Sequence, residues 1–311
     1  MDGGEESAEM ASNDTADVGD SAQLPDVPPA LPQKKRSSLL KKTTRLFGFG
    51  LLGYVGLVGL LAINEPMMVY PASKYPRGNW QPDFPFEEVS FEAHDHIKIC
   101  GWYLPQEGAT ETVLVCHGNA ENAAQSSAST GLRFRDTLNA NVLVYDYRGY
   151  GKSEGTPFEE VILLDTELAM KWLNEKTGTQ PQDVIVVGHS IGGGPAVHVV
   201  SKLGAKAMFL QRTFASLVEP AAEKYWFVPV NLIMQNRYPS AEKIKNCNVP
   251  LHQSHPEKDT LVSFDSGRKL FDASPAALKE FYVFKGANHW DALPPEYWAS
   301  VQVFLNRINE Q

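Results

Sequence analysis

The chain has 311 residues, 43% hydrophobic and 21% charged, enough apolar material for a full core, so a wholly unfolded chain is excluded. A formal net charge of −9 argues against a nucleic-acid partner, since phosphate backbones select basic surfaces. Cys100, Cys116 and Cys247 are too few, and odd in number, for a disulfide framework; they suit small buried hydrophobes.

The charge is unevenly spread. Residues 1–33 carry eight acidic groups and no Lys or Arg, and residues 34–45 carry six basic ones. With few large apolar groups, 1–45 is expected to be a disordered tail, acidic and then basic. Leu46 to Ile63, LFGFGLLGYVGLVGLLAI, follows without a charge. At 1.5 Å per residue its 18 residues cover about 27 Å, near the hydrocarbon thickness of a bilayer. A buried core helix or a cleaved signal peptide is also apolar. The basic cluster in front, the globular pattern behind and the lack of a small-residue cleavage site in INEPMMVYPAS favour an uncleaved transmembrane helix over 46–63. The Lys/Arg excess before it predicts a cytoplasmic N-terminus and an extracytoplasmic globular domain in a single-pass protein. Residues 64–85, with five prolines and Tyr70, Tyr75 and Trp80, read as a linker with interfacial aromatics.

From Phe86 the pattern becomes regular. EEVSFEA and IKICGWYL, separated by HDH, predict an antiparallel hairpin. Six further apolar runs follow at 112–118, 141–147, 183–189, 205–211, 249–254 and 280–286. Thr156, Pro157 and Glu159 predict a capped helix start between the second and third of these runs. Val161, Leu164, Leu168 and Trp172 are its expected inner face. A last helix is expected from Pro294-Pro295, burying Tyr297, Val301, Phe304, Leu305 and Ile308. Strands alternating with helices predict an α/β domain over 86–311, with a mostly parallel eight-stranded sheet covered on both faces. Residues 215–246 form a short insertion whose Tyr225, Trp226, Phe227 and Met234 are candidates to roof a pocket.

The chemistry is concentrated in VIVVGHSIGGGPAVHVV, Val184 to Val200. A strand stops at Gly188-His189-Ser190-Ile191-Gly192 and a helix follows. In a G-x-S-x-G turn the serine takes a strained conformation that holds its oxygen out at the end of the sheet, and only glycine fits on either side. Pro195 is expected to loosen the first turn of the following helix. Ser190 needs a base, because a free hydroxyl is a poor nucleophile at neutral pH. His289, in KGANHWDA after the last strand, is the candidate base. Asp259, in SHPEKDTLV, is the candidate to orient it, and Ser190…Asp259…His289 is the chain order that a fold built on such a strand–turn–helix requires. The oxyanion of a tetrahedral intermediate needs two backbone N–H donors, expected from Ile191 and Asn119. A helix cap is the plain alternative for Ser190, a surface histidine for His289 and a solvated loop charge for Asp259. His117 and His189 flank this set and are expected to support loops. Asp146 is expected to pin the Arg148-Gly149 loop, and His198 to be packed. His94 and His96 sit on the hairpin turn without a third ligand, so no metal is expected.

Taken together, VCHGNAEN, YDYRGYGKSEGTP, VVGHSIGGG, the Asp259 loop and GANHW resemble the α/β-hydrolase superfamily of serine hydrolases over about residues 86–310. HGNAEN followed by DYRGYGKSEG is similar to the membrane-linked subgroup of lysophospholipases and protein depalmitoylases, and to bacterial proteins labelled serine aminopeptidase-like. The resemblance implies acyl transfer without metal or organic cofactor, on a small-molecule or lipid ester. A peptidase and a non-catalytic membrane-anchored interaction protein remain open. Two departures stand out: LHQSHPEKD, where His255-Pro256 replaces the His-Gly of relatives, and Arg212-Thr213 after AKAMFLQ. Neither is expected to touch the triad, and both bear on the pocket or on the position of Asp259.

Overall fold

The computed structural model describes residues 36–311, so the expectations for the acidic tail and for Lys34 and Lys35 lie outside the described residues. The chain divides after Leu52. Helix α1 spans Arg36–Val69 and is long and apolar enough to cross a membrane. It carries no charge between Arg45 and Glu65. It begins at Arg36 and runs past Ile63, so residues 36–45 of the expected disordered tail and the first residues of the expected linker are helical.

The eight strands are β1 Glu87–Glu92, β2 Lys98–Leu104, β3 Glu111–Cys116, β4 Ala140–Tyr145, β5 Val184–His189, β6 Ala207–Gln211, β7 Leu251–Pro256 and β8 Lys279–Phe284. They form one sheet in the order β1-β2-β4-β3-β5-β6-β7-β8. The β1–β2 and β2–β4 pairs are antiparallel and the other five are parallel. The mostly parallel α/β sheet expected from the alternating pattern is therefore the architecture observed.

The helices between these strands are α2 Ala123–Ser126, α3 Leu132–Leu138, α4 Glu159–Thr177, α5 Gly193–Leu203, α6 Val218–Lys224, α7 Val230–Ile233, α8 Ser240–Lys243 and α9 Phe264–Ala273, and α10 Pro295–Asn309 follows the last strand. They cover both faces of the sheet. Alternate residues of one strand therefore enter different cores: Val184 and Val186 join one cluster, Ile185 and Val187 the other. All four are fully buried. Each such side chain contributes about 1.5–3 kcal/mol, and a one-residue slip would exchange the two sets. The register Val115↔Val187 and Cys116↔Gly188 is held this way.

β3 lies between β4 and β5, so the chain leaves β3 toward one edge of the sheet and later returns to its other side. Such a reversal opens a crevice at the carboxyl ends of the strands. The loop after β3 and the turn after β5 both end there.

Three expectations need correction. Thr156 caps no helix: α4 begins at Glu159 after an extended Phe158 that makes no side-chain cap. The Asn236 side chain instead accepts from the Glu159 amide at 2.7 Å, and the Glu159 carboxylate accepts from the Arg237 and Tyr238 amides. The inner face of α4 is rotated from the expected one. It carries Ile162, Asp165, Thr166, Ala169, Met170 and Leu173, while Leu164 is exposed. Two polar residues hide this face in the sequence, and both are satisfied: Asp165 pairs with Arg148 at 2.6 Å, and Thr166 shares a 2.6 Å bond with Tyr145. Tyr70, expected at a membrane interface, is buried and bonds to Asn236 and Tyr238 at 2.9 and 2.8 Å.

Candidate active site

Ser190 sits immediately after β5 at φ +53°. A single 3-10 turn, Ser190–Gly192, leads into α5. A side chain at Gly188 would lie 2.8 Å from Ala196 Cβ, and one at Gly192 only 2.0 Å from the Cys116 carbonyl. The sheet and helix close so tightly that both positions require glycine. Pro195 falls at the third residue of α5, where the backbone N–H has no α-helical partner in any case. The expected loosening therefore takes the form of a 3-10 turn placed before the α-helix, and the proline costs no bond of the α-helical ladder.

Three loops at the carboxyl edge of the sheet bring the predicted side chains together. His289 Nε2 is 3.2 Å from Ser190 Oγ, and His289 Nδ1 is 2.7 Å from Asp259 Oδ2. With Nδ1–H donating to the carboxylate, Nε2 is free to accept from the serine hydroxyl. The other Asp259 oxygen accepts from the Leu261 and Val262 amides, both at 2.9 Å. Ser190 and His289 are buried, and the Asp259 carboxylate is closed off from solvent. Burial pushes the His289 imidazole below its ordinary value, against the upward pull of Asp259. Burial also raises the Asp259 carboxyl, but the His289 bond and the two amides outweigh it and hold the group below its ordinary value. The histidine is thus neutral and the aspartate ionised near neutral pH.

Asn119 and Ile191 line the same cavity as Ser190. The Ile191 N–H lies in the first turn of a helical segment, where backbone donors lack intrahelical partners. The Asn119 side chain donates to the Val69 carbonyl at 3.1 Å, so the loop after β3 is tied to the end of α1. Behind it, the His189 imidazole lies 3.6 Å from Glu121 and stacks near His289 at 6.4 Å between ring centroids. His117 is buried, held to the Gly118 carbonyl at 2.7 Å and lowered to about 4 by burial. It stays neutral and supports its loop. Asp146 is buried and accepts from the Ala123 and Lys152 amides, joining the strand end to two neighbouring loops. His198 is packed against Glu167 and Lys243 at 2.7 and 3.2 Å.

The cavity measures about 450 Å³. Leu61, Glu65, Met68 and Val69 of α1 form one wall, and the 215–246 insertion supplies Tyr225, Val228, Ile233 and Met234. Of the four roof candidates, Tyr225 and Met234 line it, whereas Trp226 and Phe227 face outward. Sequence reasoning missed the α1 wall, because an apolar span and an apolar pocket wall have the same composition.

Both departures touch the catalytic candidates, contrary to expectation. His255 is fully buried, bonds to the Val262 carbonyl at 2.9 Å and lies 3.5 Å from Asp259. Arg212 is buried at φ +55° and reaches the His289 and Asp291 carbonyls. Elsewhere on β7, the Gln253 amide donates to the Gly267 carbonyl at 2.6 Å.

A family model for the alpha/beta hydrolase fold matches residues 111–225. An uncharacterized protein of Mycobacterium tuberculosis (strain CDC 1551 / Oshkosh) is 30% identical over 240 residues, covering 76% of this chain and 84% of its own. An uncharacterized membrane protein of Saccharomyces cerevisiae is 26% identical over 284 residues, covering 86% and 98%. Among solved structures, the esterase Pf2001 of Pyrococcus furiosus superposes with a TM-score of 0.61 at 22% identity, over 74% of this chain and 96% of that one. The acetyl xylan esterase of Paenibacillus sp. R4 gives 0.60 at 14% identity, over 79% and 93%. The chain belongs to the alpha/beta hydrolase superfamily.

Proposed function

We propose that this protein is a membrane-anchored serine hydrolase that cleaves carboxylic esters or thioesters through an acyl-enzyme. Ser190 attacks the carbonyl while His289 takes its proton, and Asp259 holds the imidazole and stabilises its charged form. The Ile191 and Asn119 amides receive the oxyanion. His289 then protonates the leaving group, and water, activated by the same histidine, releases the acid. The observation that carries this reading is the hydrogen-bond chain from Ser190 through His289 to Asp259, at 3.2 and 2.7 Å. The apolar walls of the cavity favour a lipid-like acyl group over a polar one. Helix α1 acts as the anchor, ahead of a hydrolase domain from residue 86. The basic residues before it orient the N-terminus to the cytoplasm and the hydrolase domain away from it, and protease protection in sealed vesicles tests that orientation. A fluorophosphonate probe is expected to label the wild type and not Ser190→Ala; equal labelling of the variant would refute the assignment.

A serine aminopeptidase-like reading keeps one supporting observation. Glu223 lines the cavity, where a carboxylate could receive a substrate amine, although it already accepts from Ser263 at 3.0 Å. Glu219 is committed to Ser266 and Lys269. Parallel rates on acyl esters and aminoacyl amides separate the two. Complete absence of labelling in folded protein would instead favour a non-catalytic interaction protein.

A further inference from the structure

Trp226 and Leu232 are among the most exposed large apolar side chains, at 82% and 85%, with Phe227 between them at 44%. They lie on the segment joining α6 and α7 and on α7 itself. Such a patch on a water-facing surface is costly and marks a contact with another apolar phase.

Its position identifies the phase. The Tyr54 hydroxyl donates to the Phe227 carbonyl at 2.9 Å. Val58 and Leu61 of α1 pack in one cluster with Val218, Val228, Val230 and Met234. The insertion therefore lies along the Tyr54–Leu61 portion of α1. Glu65 ends the uncharged run and is bound by the Asn236 amide and side chain at 3.0 and 2.9 Å. From Ile63 to Tyr54 the helix rises about 14 Å, close to half a hydrocarbon layer. On the same stretch Val55, Leu60 and Ile63 are exposed. An all-round apolar helix with free flanks lies in lipid, and what is bonded to its flank at Tyr54 lies there too.

We infer that the segment Tyr225–Ile233 is a second membrane-inserted element: Trp226, Phe227 and Leu232 enter the acyl layer of the leaflet next to the hydrolase domain, and the Ser190 cavity is supplied with acyl chains directly from that leaflet. The inference rests on the reading of α1 as a membrane anchor and of Ser190 as the nucleophile. The cavity lies between α1 and this same segment, walled by Leu61, Val69, Val228 and Ile233 on the way to Ser190. An acyl chain passing from the leaflet along α1 would meet apolar walls and stay out of bulk water. Part of the segment's backbone is paired within the protein, which lowers the cost of placing it in lipid: Val228 N–H bonds to the Tyr225 carbonyl at 2.8 Å, Leu232 N–H to Pro229 at 2.9 Å and Met234 N–H to Val230 at 3.0 Å.

The test uses the full chain reconstituted in phosphatidylcholine vesicles. Vesicle flotation first checks the anchor; failure to float would overturn both the anchor and the insertion. With phosphatidylcholine brominated at mid-chain, the fluorescence difference between wild type and Trp226→Phe is expected to be blue-shifted and quenched. A floating protein whose Trp226 emission is water-like and unquenched overturns the insertion alone, as does a blue-shifted but unquenched Trp226, which would be covered by protein. The double variant Trp226→Asp/Leu232→Asp is expected to lose at least tenfold in hydrolysis of a long-chain ester dissolved in the vesicles, with hydrolysis of soluble p-nitrophenyl acetate unchanged. An equal loss on both esters, or none on either, would overturn the supply route. A wild type inactive on both would overturn the proposed chemistry, while the fluorescence still decides the insertion.

Discussion

Arg212 Nη1 donates to the backbone carbonyl of His289 at 2.5 Å, and its Nη2 donates to the carbonyl of Asp291. The guanidinium stands over the Phe284 ring, 5.6 Å from its centroid. One fork thus clamps the loop that carries the imidazole to the end of β6. A misplacement of the base by an ångström costs on the order of 10²-fold in rate. Arg212→Lys cannot reach both carbonyls with one planar fork. It is expected to lower kcat by about 10–10²-fold with little change in KM, and its thermal midpoint separates misplacement from unfolding.

The acid limb of activity should be low. His289 must be neutral to accept the serine proton, and burial together with His189 and Arg212 outweighs Asp259 in holding its pKa below 6.5. Rate therefore falls as pH drops through that lowered value and is flat above it. A kcat/KM profile on a soluble ester checks this; an acid limb centred above 6.5 would contradict it. Asp259→Asn removes the upward pull and the correct tautomer, so activity should collapse by about 10⁴-fold.

The two proposed oxyanion donors are backbone groups, and substitutions can separate backbone from side chain. Asn119→Ala keeps the amide and loses only the 3.1 Å bond to the Val69 carbonyl; a loss below about tenfold is expected, since one such bond contributes about 1 kcal/mol. Asn119→Pro removes the N–H and should cost about 10²–10³ in kcat. Single-turnover acylation rates distinguish the two.

Gly192→Ala would place a methyl group 2.0 Å from the Cys116 carbonyl, and Gly193→Ala would place one 2.0 Å from the Thr213 hydroxyl. Backbone cannot yield as a flexible side chain can. Gly192→Ala is therefore expected to cost at least about 3 kcal/mol, seen as loss of soluble folded protein in detergent rather than as an altered KM.

Asn236 connects two distant segments, the end of α1 with Tyr70 just after it and the start of α4. It bonds to Glu65 of α1, accepts from the Tyr70 hydroxyl and caps α4 at the Glu159 amide. Asn236→Ala leaves the Glu159 amide without its partner and takes one bond each from Glu65 and the Tyr70 hydroxyl, which keep the Asn236 backbone amide and Tyr238; a loss of about 1–3 kcal/mol is expected. A lowered thermal midpoint, together with faster proteolysis near residues 64–70, is the expected result; an unchanged midpoint would show that the three contacts are redundant.

Much of the fold was legible because local chemistry and tertiary need coincide. The runs around β3 to β6 are apolar on both faces, as strands buried between two helix layers must be. Gly188 and Gly192 announced the turn at Ser190 because no other residue fits a backbone so crowded. His289 and Asp259 were legible from their order and from the loops that follow late strands. α4 misled because its inner face contains Asp165 and Thr166, whose partners Arg148 and Tyr145 lie far off in sequence. Tyr70 misled because aromatic residues after an apolar run suit a membrane interface and a core equally well.

What the amino-acid order determined by itself was the alternation of strand and helix, the apolar run of α1 and the glycine-flanked serine, since each depends on residues within one turn or one strand. Only the tertiary structure decided that Arg212 clamps the His289 loop, that Asn236 caps α4, and that the end of α1 is a wall of the cavity beside Ser190. Those contacts join segments separated by tens to more than a hundred residues, and a side chain's type does not reveal which distant backbone it will meet.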